Sequence, residues 1–326
     1  MKDKNVLVTG AGGSIGSVLC HEIVKRGARR LTLVSLTESG LYEIERKLRS
    51  CGSATEIVGI LGSVCDYPLM CEVLAGTDIV IHAAAHKHVP ICERNPIAAI
   101  ENNVRGTQSL VDAAKNSGVD RFVLISSDKA VNPKSVMGAT KRVAEMIVRS
   151  RNGSGTRFSI VRFGNVLDSA GSVLPLWREQ ISQGGPITLT DERCERYFMS
   201  ISEACELVLT ALAFDQELNE TPLYVFDMGN PVRLADLAQR LIVNSASQVE
   251  IKYIGLRPGE KLTEELHYGG EVLKTEHPKI LRVLEPLSHR RVLIDELLQA
   301  SICRRTDLAV RLLREITIEM DCEAAA

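Results

Sequence analysis

The sequence predicts an α/β protein: a doubly wound parallel sheet covered by helices on both faces, with a smaller, partly interleaved C-terminal domain. Three observations predict it. Short, wholly apolar β-branched runs alternate with helical patterns along the first half of the chain, as strands buried on both faces do. A glycine-rich turn, VTGAGGSIG, joins the first run to the first helical pattern. After about Gly164 the alternation loosens into Gly- and Pro-containing segments (SAGSVLP, SQGGPI, LRPGEK) between short helical patterns.

In chain order, NVLVTG is a strand followed by a helix from Ser14 to about Arg26. LTLVSL precedes a helix near Gly40–Arg49, EIVGIL a short helix, and DIVIHAAA a long one through Asn103–Ser117. RFVLISS precedes a helix at Met137–Arg149, and RFSIVRFGN closes the series. These elements make a nucleotide-binding domain over residues 1–165. Residues 166–326 form the second domain, with helices at Ser202–Phe214 and Leu234–Asn244 and one or two amphipathic helices from Arg291 to Met320. YVFDMG, near 223–229, is a strand that returns to the first domain.

Composition excludes several classes. With 326 residues, 45% hydrophobic and 25% charged, the chain builds a substantial core. A formal charge of −2 carries no global bias toward nucleic acid or a membrane surface, and no apolar run approaches the ~20 residues that span a bilayer. The nine cysteines contain no Cys-x-x-Cys pair, which reads as reduced thiols in a cytoplasmic protein.

The strand–turn–helix context gives the glycine turn its meaning. Gly10, Gly13 and Gly16, with Ser14 and Ile15, bring a pyrophosphate onto a helix N-terminus, the Rossmann arrangement for NAD or NADP. The second strand ends in Ser35, followed by Thr37, where an acidic residue is expected to hold the ribose. Loss of the carboxylate permits NADP and weighs slightly toward it, with NAD left open. Further along, Asp128 and Lys129 place an acid and a base at the carboxyl end of a strand, where such sheets hold their ligands. Neighbours in a strand point to opposite faces, so both serve one site only if the chain turns there. His82, His86 and His88 lie close in sequence, but on a strand end and without a zincin-type Glu, so no metal is expected.

TGAGGSIG, HAAAHKHVPICERNP, NNVRGT, SSDKAVNPKSVMGATKR, RFGNVLDSAGSVLP, RYFMSISEA and RPGEKLTEEL occur in that order. Together they resemble the nucleotide-sugar 4,6-dehydratases of the extended short-chain dehydrogenase/reductase superfamily, above all the UDP-N-acetylglucosamine 4,6-dehydratases of bacterial glycan synthesis. The resemblance covers residues 5 to about 266. It implies a tightly bound, recycled NAD(P) that takes hydride from sugar C4 and returns it to C6 after water is lost. It also implies a homo-oligomer, a dimer or larger, built through helices of the first domain. Many relatives carry an N-terminal membrane region, and this chain resembles their catalytic portion.

The resemblance also implies roles. Asp128 protonates the leaving C6 hydroxyl, Lys129 takes the C5 proton, and Ser127 orients a hydroxyl. Lys141 holds the nicotinamide ribose, while Met137 replaces the superfamily's Tyr, so the O4 proton passes to Asp128 or Lys129. Lys129 must be neutral for this, which burial, Lys141 and the nicotinamide charge would bring about. Ala83, Ala84, Ala85 and Asn103 line the cofactor, with Asn103 also buttressing the loop carrying Ser126–Asp128, and Met137 contacts the substrate. Lys87 and His88 face the sugar or its phosphates. Asn165, Ser172, Val173, Pro175, Arg196 and Arg257 contact the nucleotide diphosphate, and Glu260 pairs with Lys261 to close the pocket. Glu93 is a polar contact or a surface residue. Ser63 stands where relatives carry an Asp near the adenine. The competing readings are a C5-inverting dehydratase, a UDP-sugar 4-epimerase, which needs neither the C5 base nor the C6 acid, and a non-catalytic NADP-binding protein.

Overall fold

A computed structural model describes residues 1–151, 155–214, 220–245, 248–285 and 290–318; Met320, at the end of the expected tail helices, lies outside them. Strands β1 (Asn5–Thr9), β2 (Arg30–Ser35), β3 (Glu56–Leu61), β4 (Ile79–His82), β5 (Arg121–Ile125) and β6 (Arg157–Arg162) alternate with helices α1 (Ser14–Lys25), α2 (Glu38–Arg49), α3 (Tyr67–Leu74), α4 (Val89–Arg94), α5 (Pro96–Ile100), α6 (Gly106–Asn116) and α7 (Val136–Arg149). The expected helix at Asn103–Ser117 begins as a π-helical turn, Glu101–Arg105, that runs into α6.

The smaller region follows: β7 (Asn165–Val166), α8 (Val173–Ser182), β8 (Ile187–Leu189), β9 (Glu195–Arg196), β10 (Phe198–Met199), α9 (Ile201–Ala213), β11 (Leu223–Phe226), β12 (Val232–Arg233), α10 (Leu234–Asn244), β13 (Ile251–Tyr253), β14 (Glu271–Lys274) and β15 (Ile280–Leu284). Helices α11 (Arg291–Ile302) and α12 (Thr306–Ile318) end the described chain.

The main sheet runs β14-β15-β11-β6-β5-β4-β1-β2-β3. Its strands are parallel from β3 to β11; β15 and β14 add antiparallel. β11 therefore extends the first-half sheet beside β6. Sheet order reverses between β1 and β4, which opens a crevice at their carboxyl ends. One apolar layer packs α1, α2 and α9 on one face through Leu19, Ile23, Ile44 and Val208. The other packs α3 and α6 through Met70, Leu110 and Val111.

Helix α7 is covered on all sides: Val136 to Val148 are buried between α4, α5, α6 and α12. Its outward face meets Leu312, Leu313 and Ile316 of α12 and Leu297 of α11. A subunit contact through helices of the first domain therefore has no free face on α7. Among the described residues, no helix is long and apolar enough to cross a membrane.

Candidate active site

A cavity of about 670 Å³ lies at the crevice. Gly10, Gly13, Ser14, Ile15 and Gly16 line one side. Gly10 turns at φ +65°, and a Cβ there would fall 2.8 Å from the Ala84 backbone, so both torsion and space demand glycine. Gly13 is the N-cap of α1 and supplies no side-chain cap. The first N–H groups of this helix are left for an anion. This cradle fits the pyrophosphate of a dinucleotide.

Ala83 and Ala85 line the cavity. Ala84 does not; its N–H donates to Thr9 Oγ1 at 3.3 Å beneath Gly10. Ser35 and Thr37 also lie off the cavity wall. Ser35 Oγ donates to the Thr37 carbonyl and accepts from the Thr37 N–H, each at 3.2 Å, so it is spent within its own turn. Ser63 Oγ likewise accepts from Cys65 N–H. Asn103 is buried away from the cavity. It clasps His86 through N–H (2.8 Å) and carbonyl (3.0 Å) and reaches Thr140, so it braces the loop after β4 and not the loop carrying Ser126–Asp128. His82 bonds Thr9 (2.7 Å) and Thr107 (3.0 Å). Burial, with the charge of Lys141, pushes it down to about 3, making it a neutral core residue.

After β5 the chain makes a 3₁₀ turn, Asp128–Ala130, capped by Ser127 Oγ. This is the turn that the Asp–Lys adjacency requires. It brings Ser127 and Lys129 to the cavity wall and leaves Asp128 fully buried behind them. Asp128 Oδ1 accepts from Ser127 Oγ at 2.8 Å and Lys129 Nζ at 3.0 Å. Its buried Oδ2 has no hydrogen-bond partner among the described residues. Asp128 thus reaches the cavity only through its two neighbours.

Lys129 Nζ also donates to Asn165 Oδ1 at 3.0 Å and pairs with Glu264 Oε1 at 3.6 Å. Burial alone would lower its pKa, but Asp128 and Glu264 outweigh burial and the opposing Arg196, and the net direction is upward. This is opposite to the neutral amine expected from burial and Lys141. Lys141 is the lowered one: burial, partly countered by Glu145, brings it to about 8. It lines the cavity beside Met137 and donates to the Ile125 carbonyl at 2.6 Å.

Helix α7 holds this loop from behind. Gly138 lets its first turn sit against Lys129, whose carbonyl oxygen would be 2.2 Å from a Cβ at that position. Glu93 Oε1 accepts from the Val136 N–H at 2.6 Å, so it caps α7. Glu145 receives Arg162 at 2.7 and 2.6 Å and Ser126 Oγ at 2.5 Å. Arg162 and Arg142 also meet Glu285, at 2.5 and 2.8 Å. Arg142 lies 4.7 Å over the Tyr268 ring. Residue by residue, little in the sequence distinguishes these charges from surface ones; the one signal is for Arg162, which interrupts the apolar segment RFSIVRFGN.

Lys87 and His88 also line the cavity, with Lys87 Nζ on the Ala170 carbonyl at 2.8 Å and the Ala170 N–H on Ser14 Oγ at 2.9 Å. A second cavity of about 220 Å³ adjoins it and shares Lys129, Asn165, Gly171, Ser172 and Val173. Basic side chains outnumber acidic ones there: Lys129, Lys134, Arg196, Arg257 and Lys261 against Glu260 and Glu264. Pro175 lines neither cavity. Arg196 lines the second, but its guanidinium donates to three backbone carbonyls, of Glu195, Leu262 and Lys261, at 2.7–2.9 Å. It staples the 260–264 loop more than it offers a free fork. Lys261 does not pair with Glu260: it donates to the Val131 carbonyl at 2.9 Å and faces Glu265 at 3.7 Å, while Glu260 accepts from the Arg257 N–H. Glu264 escaped the sequence reading although it lies within RPGEKLTEEL.

Residues 6–285 match the family described as polysaccharide biosynthesis protein. The capsular polysaccharide biosynthesis protein CapD of Staphylococcus aureus is 46% identical over 287 residues, 86% of this chain and 47% of CapD. The chain thus spans about half the length of that relative. The UDP-N-acetylglucosamine 4,6-dehydratase (inverting) of Campylobacter jejuni serotype O:2 is 33% identical over 80% of this chain and 76% of its own. Relatives named UDP-glucose 4-epimerase match at comparable identity. Among solved structures, Pen from Bacillus thuringiensis superposes with a TM-score of 0.81 at 31% identity, covering 89% of this chain and 90% of Pen. The chain belongs to this polysaccharide biosynthesis family of nucleotide-sugar dehydratases and epimerases.

Proposed function

We propose that the protein is a lyase that dehydrates UDP-N-acetylglucosamine to UDP-2-acetamido-2,6-dideoxy-4-keto-D-glucose with retention at C5, using a tightly bound, recycled NAD(P). One observation carries this: Lys129, joined to Asp128 at 3.0 Å, is the one ionisable side chain among the described residues that lines both cavities. The larger cavity suits the dinucleotide and sugar, and the smaller, basic one suits the diphosphate. Glycine turn, Ala83, Ala85 and Lys141 would hold the cofactor. The turn after β2 carries Glu38 and no Lys or Arg from Ser35 to Gly40, and its Leu36 is 59% exposed. A 2′-phosphate would meet an acid and an apolar side chain there, which favours NAD over the NADP permitted by loss of the ribose-binding carboxylate.

The nicotinamide would supply, when bound, a reversible hydride carrier, accepting from sugar C4 and donating to C6. The protein's part is proton traffic. Turnover starts with the Lys129 amine neutral and the Asp128 carboxylate ionised. The O4 proton passes through Ser127 to the Asp128 carboxylate, and its neutralisation removes the nearest charge that holds a proton on Lys129. Lys129 then takes the C5 proton, the C6–O6 bond breaks, and the Asp128 proton leaves through Ser127 with the hydroxyl as water. Lys129 finally returns a proton to C5 as hydride reaches C6, and the pair is restored. One base working on one face gives retention. The raised pKa of Lys129 makes the rate climb with pH, since the neutral amine is the active form.

The name of the Campylobacter relative favours a second reading, inversion at C5. Proton NMR with UDP-N-acetylglucosamine in D₂O separates the readings. A 4-keto-6-deoxy product with deuterium at C5 and gluco coupling supports retention, and arabino coupling supports inversion. A C4 epimer without C5 exchange would sink both.

A further inference from the structure

The proposed reaction leaves Lys129 with a difficulty. Its nearest counter-charge, Asp128, gains and loses a proton in every turnover. Were Asp128 the sole carboxylate beside it, the amine would be left with the Asn165 amide oxygen alone whenever Asp128 became neutral.

A second carboxylate is present. Glu264 Oε1 lies 3.6 Å from Lys129 Nζ, and the Glu264 side chain is only 4% exposed. It comes from a different part of the chain, the loop that Arg196 staples through the Lys261 and Leu262 carbonyls. Arg196 Nε stands 4.0 Å from the same Oε1. Glu264 lines the smaller cavity, where Lys129 also appears. Its Oε2 is buried without a hydrogen-bond partner among the described residues. Charges therefore alternate across the junction: Arg196, Glu264, Lys129, Asp128. Glu260 of the same loop lies 3.9 Å from Arg196.

Resting on the dehydratase reading, we infer that Glu264 is a positioning residue for Lys129: a fixed counter-charge that keeps the amine at the junction of the two cavities while Asp128 changes its protonation. Glu264 takes no part in proton transfer. Arg196, which the loop carbonyls hold in place, stands on its other side. The arrangement also ties the diphosphate subsite to the proton-transfer site, because one loop supplies the wall of the first and the counter-ion of the second.

The test is Glu264→Gln, which keeps shape and removes charge, with Glu264→Asp as the conservative variant. The ¹³Cε shift of Lys129, assigned with Lys129→Arg, is followed in the holoprotein from about pH 7 to about pH 11. Loss of one of two flanking carboxylates should start its titration about one pH unit lower, with a smaller displacement in Glu264→Asp. In the dehydration assay, compared at equal fractions of neutral Lys129 taken from the titrations, kcat should fall about tenfold or more at unchanged KM, as misplacement of a catalytic group predicts, and Glu264→Asp should recover part of it. An unmoved titration overturns the inference, as does a moved titration with wild-type kcat. Should Glu264→Gln fail to fold, Glu264→Asp alone decides: full activity with an unmoved titration overturns it. The titration needs no substrate. Absence of turnover by the wild-type protein, a failure of the functional reading, is thereby told apart from turnover with a Lys129 that ignores Glu264.

Discussion

Gly138→Ala offers a sharp test of how closely α7 governs the proton-transfer loop. In an exposed helix interior this change gains about 1 kcal/mol in helix propensity. Here the new Cβ would lie 2.2 Å from the Lys129 carbonyl oxygen, where real Cβ atoms stay beyond 3.0 Å. Helix and loop must separate by about 0.8 Å. The obstacle is backbone held in a 3₁₀ turn, not a flexible side-chain tip, so it cannot simply swing away. Overpacking of this kind costs about 1–3 kcal/mol, which cancels or exceeds the propensity gain, so the stability change should be small. The functional change should not be. Displacing Lys129 by most of an ångström predicts a loss in kcat approaching about 100-fold. Keto-sugar formation and a thermal melt, measured on the same preparation, separate the two effects. A variant with kcat within about twofold of wild type would refute the claim that this contact positions Lys129.

Three further outcomes are expected. Lys129→Ala should abolish dehydration and leave dinucleotide binding intact, read by calorimetry; retained C5 deuterium exchange would remove Lys129 from the role of base. Leu36→Arg should raise NADP affinity about tenfold or more by giving the 2′-phosphate a cation, and binding that favours NADP already in the wild type would contradict the preference argued from this turn. Glu145, held by Arg162 and Arg142, sits at about 2 despite burial. The stability it confers is fully present above its unfolded value near 4.3 and is lost as pH falls toward 2, about 3 kcal/mol in all. Urea midpoints across that interval should fall less steeply in Glu145→Gln, although that variant is itself destabilised by about 3–5 kcal/mol, because Arg162 loses a buried partner.

The alternating half of the fold was legible because each strand is a short apolar run and each helix carries a period of its own. EIVGIL coincides with β3, and the return of YVFDMG to the main sheet appears as β11 beside β6. Long-range charge pairing was not legible. Arg162 and Glu285 are 123 residues apart, and only the antiparallel addition of β15 beside β11 brings them together. The same holds at the site. Adjacency of Asp128 and Lys129 announced an acid and a base, but which one reaches the cavity depends on a single 3₁₀ turn, and that turn puts the carboxylate behind the amine. Arg196 looked like a phosphate fork because guanidinium groups often are; three backbone carbonyls, two of them in the 260–264 loop, claim it first.

Helix α7 explains why the site tolerates a methionine in place of the superfamily's tyrosine. Several neighbours that fix the loop at residues 125–129 are delivered from this helix. Lys141 grips the Ile125 carbonyl, Glu145 grips Ser126, and Gly138 lets the helix rest on Lys129. The helix is immobilised in turn by α12 on its outer side and by the Arg162–Glu285 pair beneath. A tyrosine at position 137 would add a hydroxyl on the cavity wall, whereas the proposed mechanism already uses that of Ser127, which lines the cavity and donates to Asp128. What the helix must supply is rigidity at residues 125–129, and a buried apolar side chain at 137 serves that without introducing a hydroxyl that would need a partner. On this reasoning Met137→Tyr should retain cofactor binding and much of its activity. A complete loss of folding in that variant would show that the close packing of Met137 outweighs the chemistry of the position.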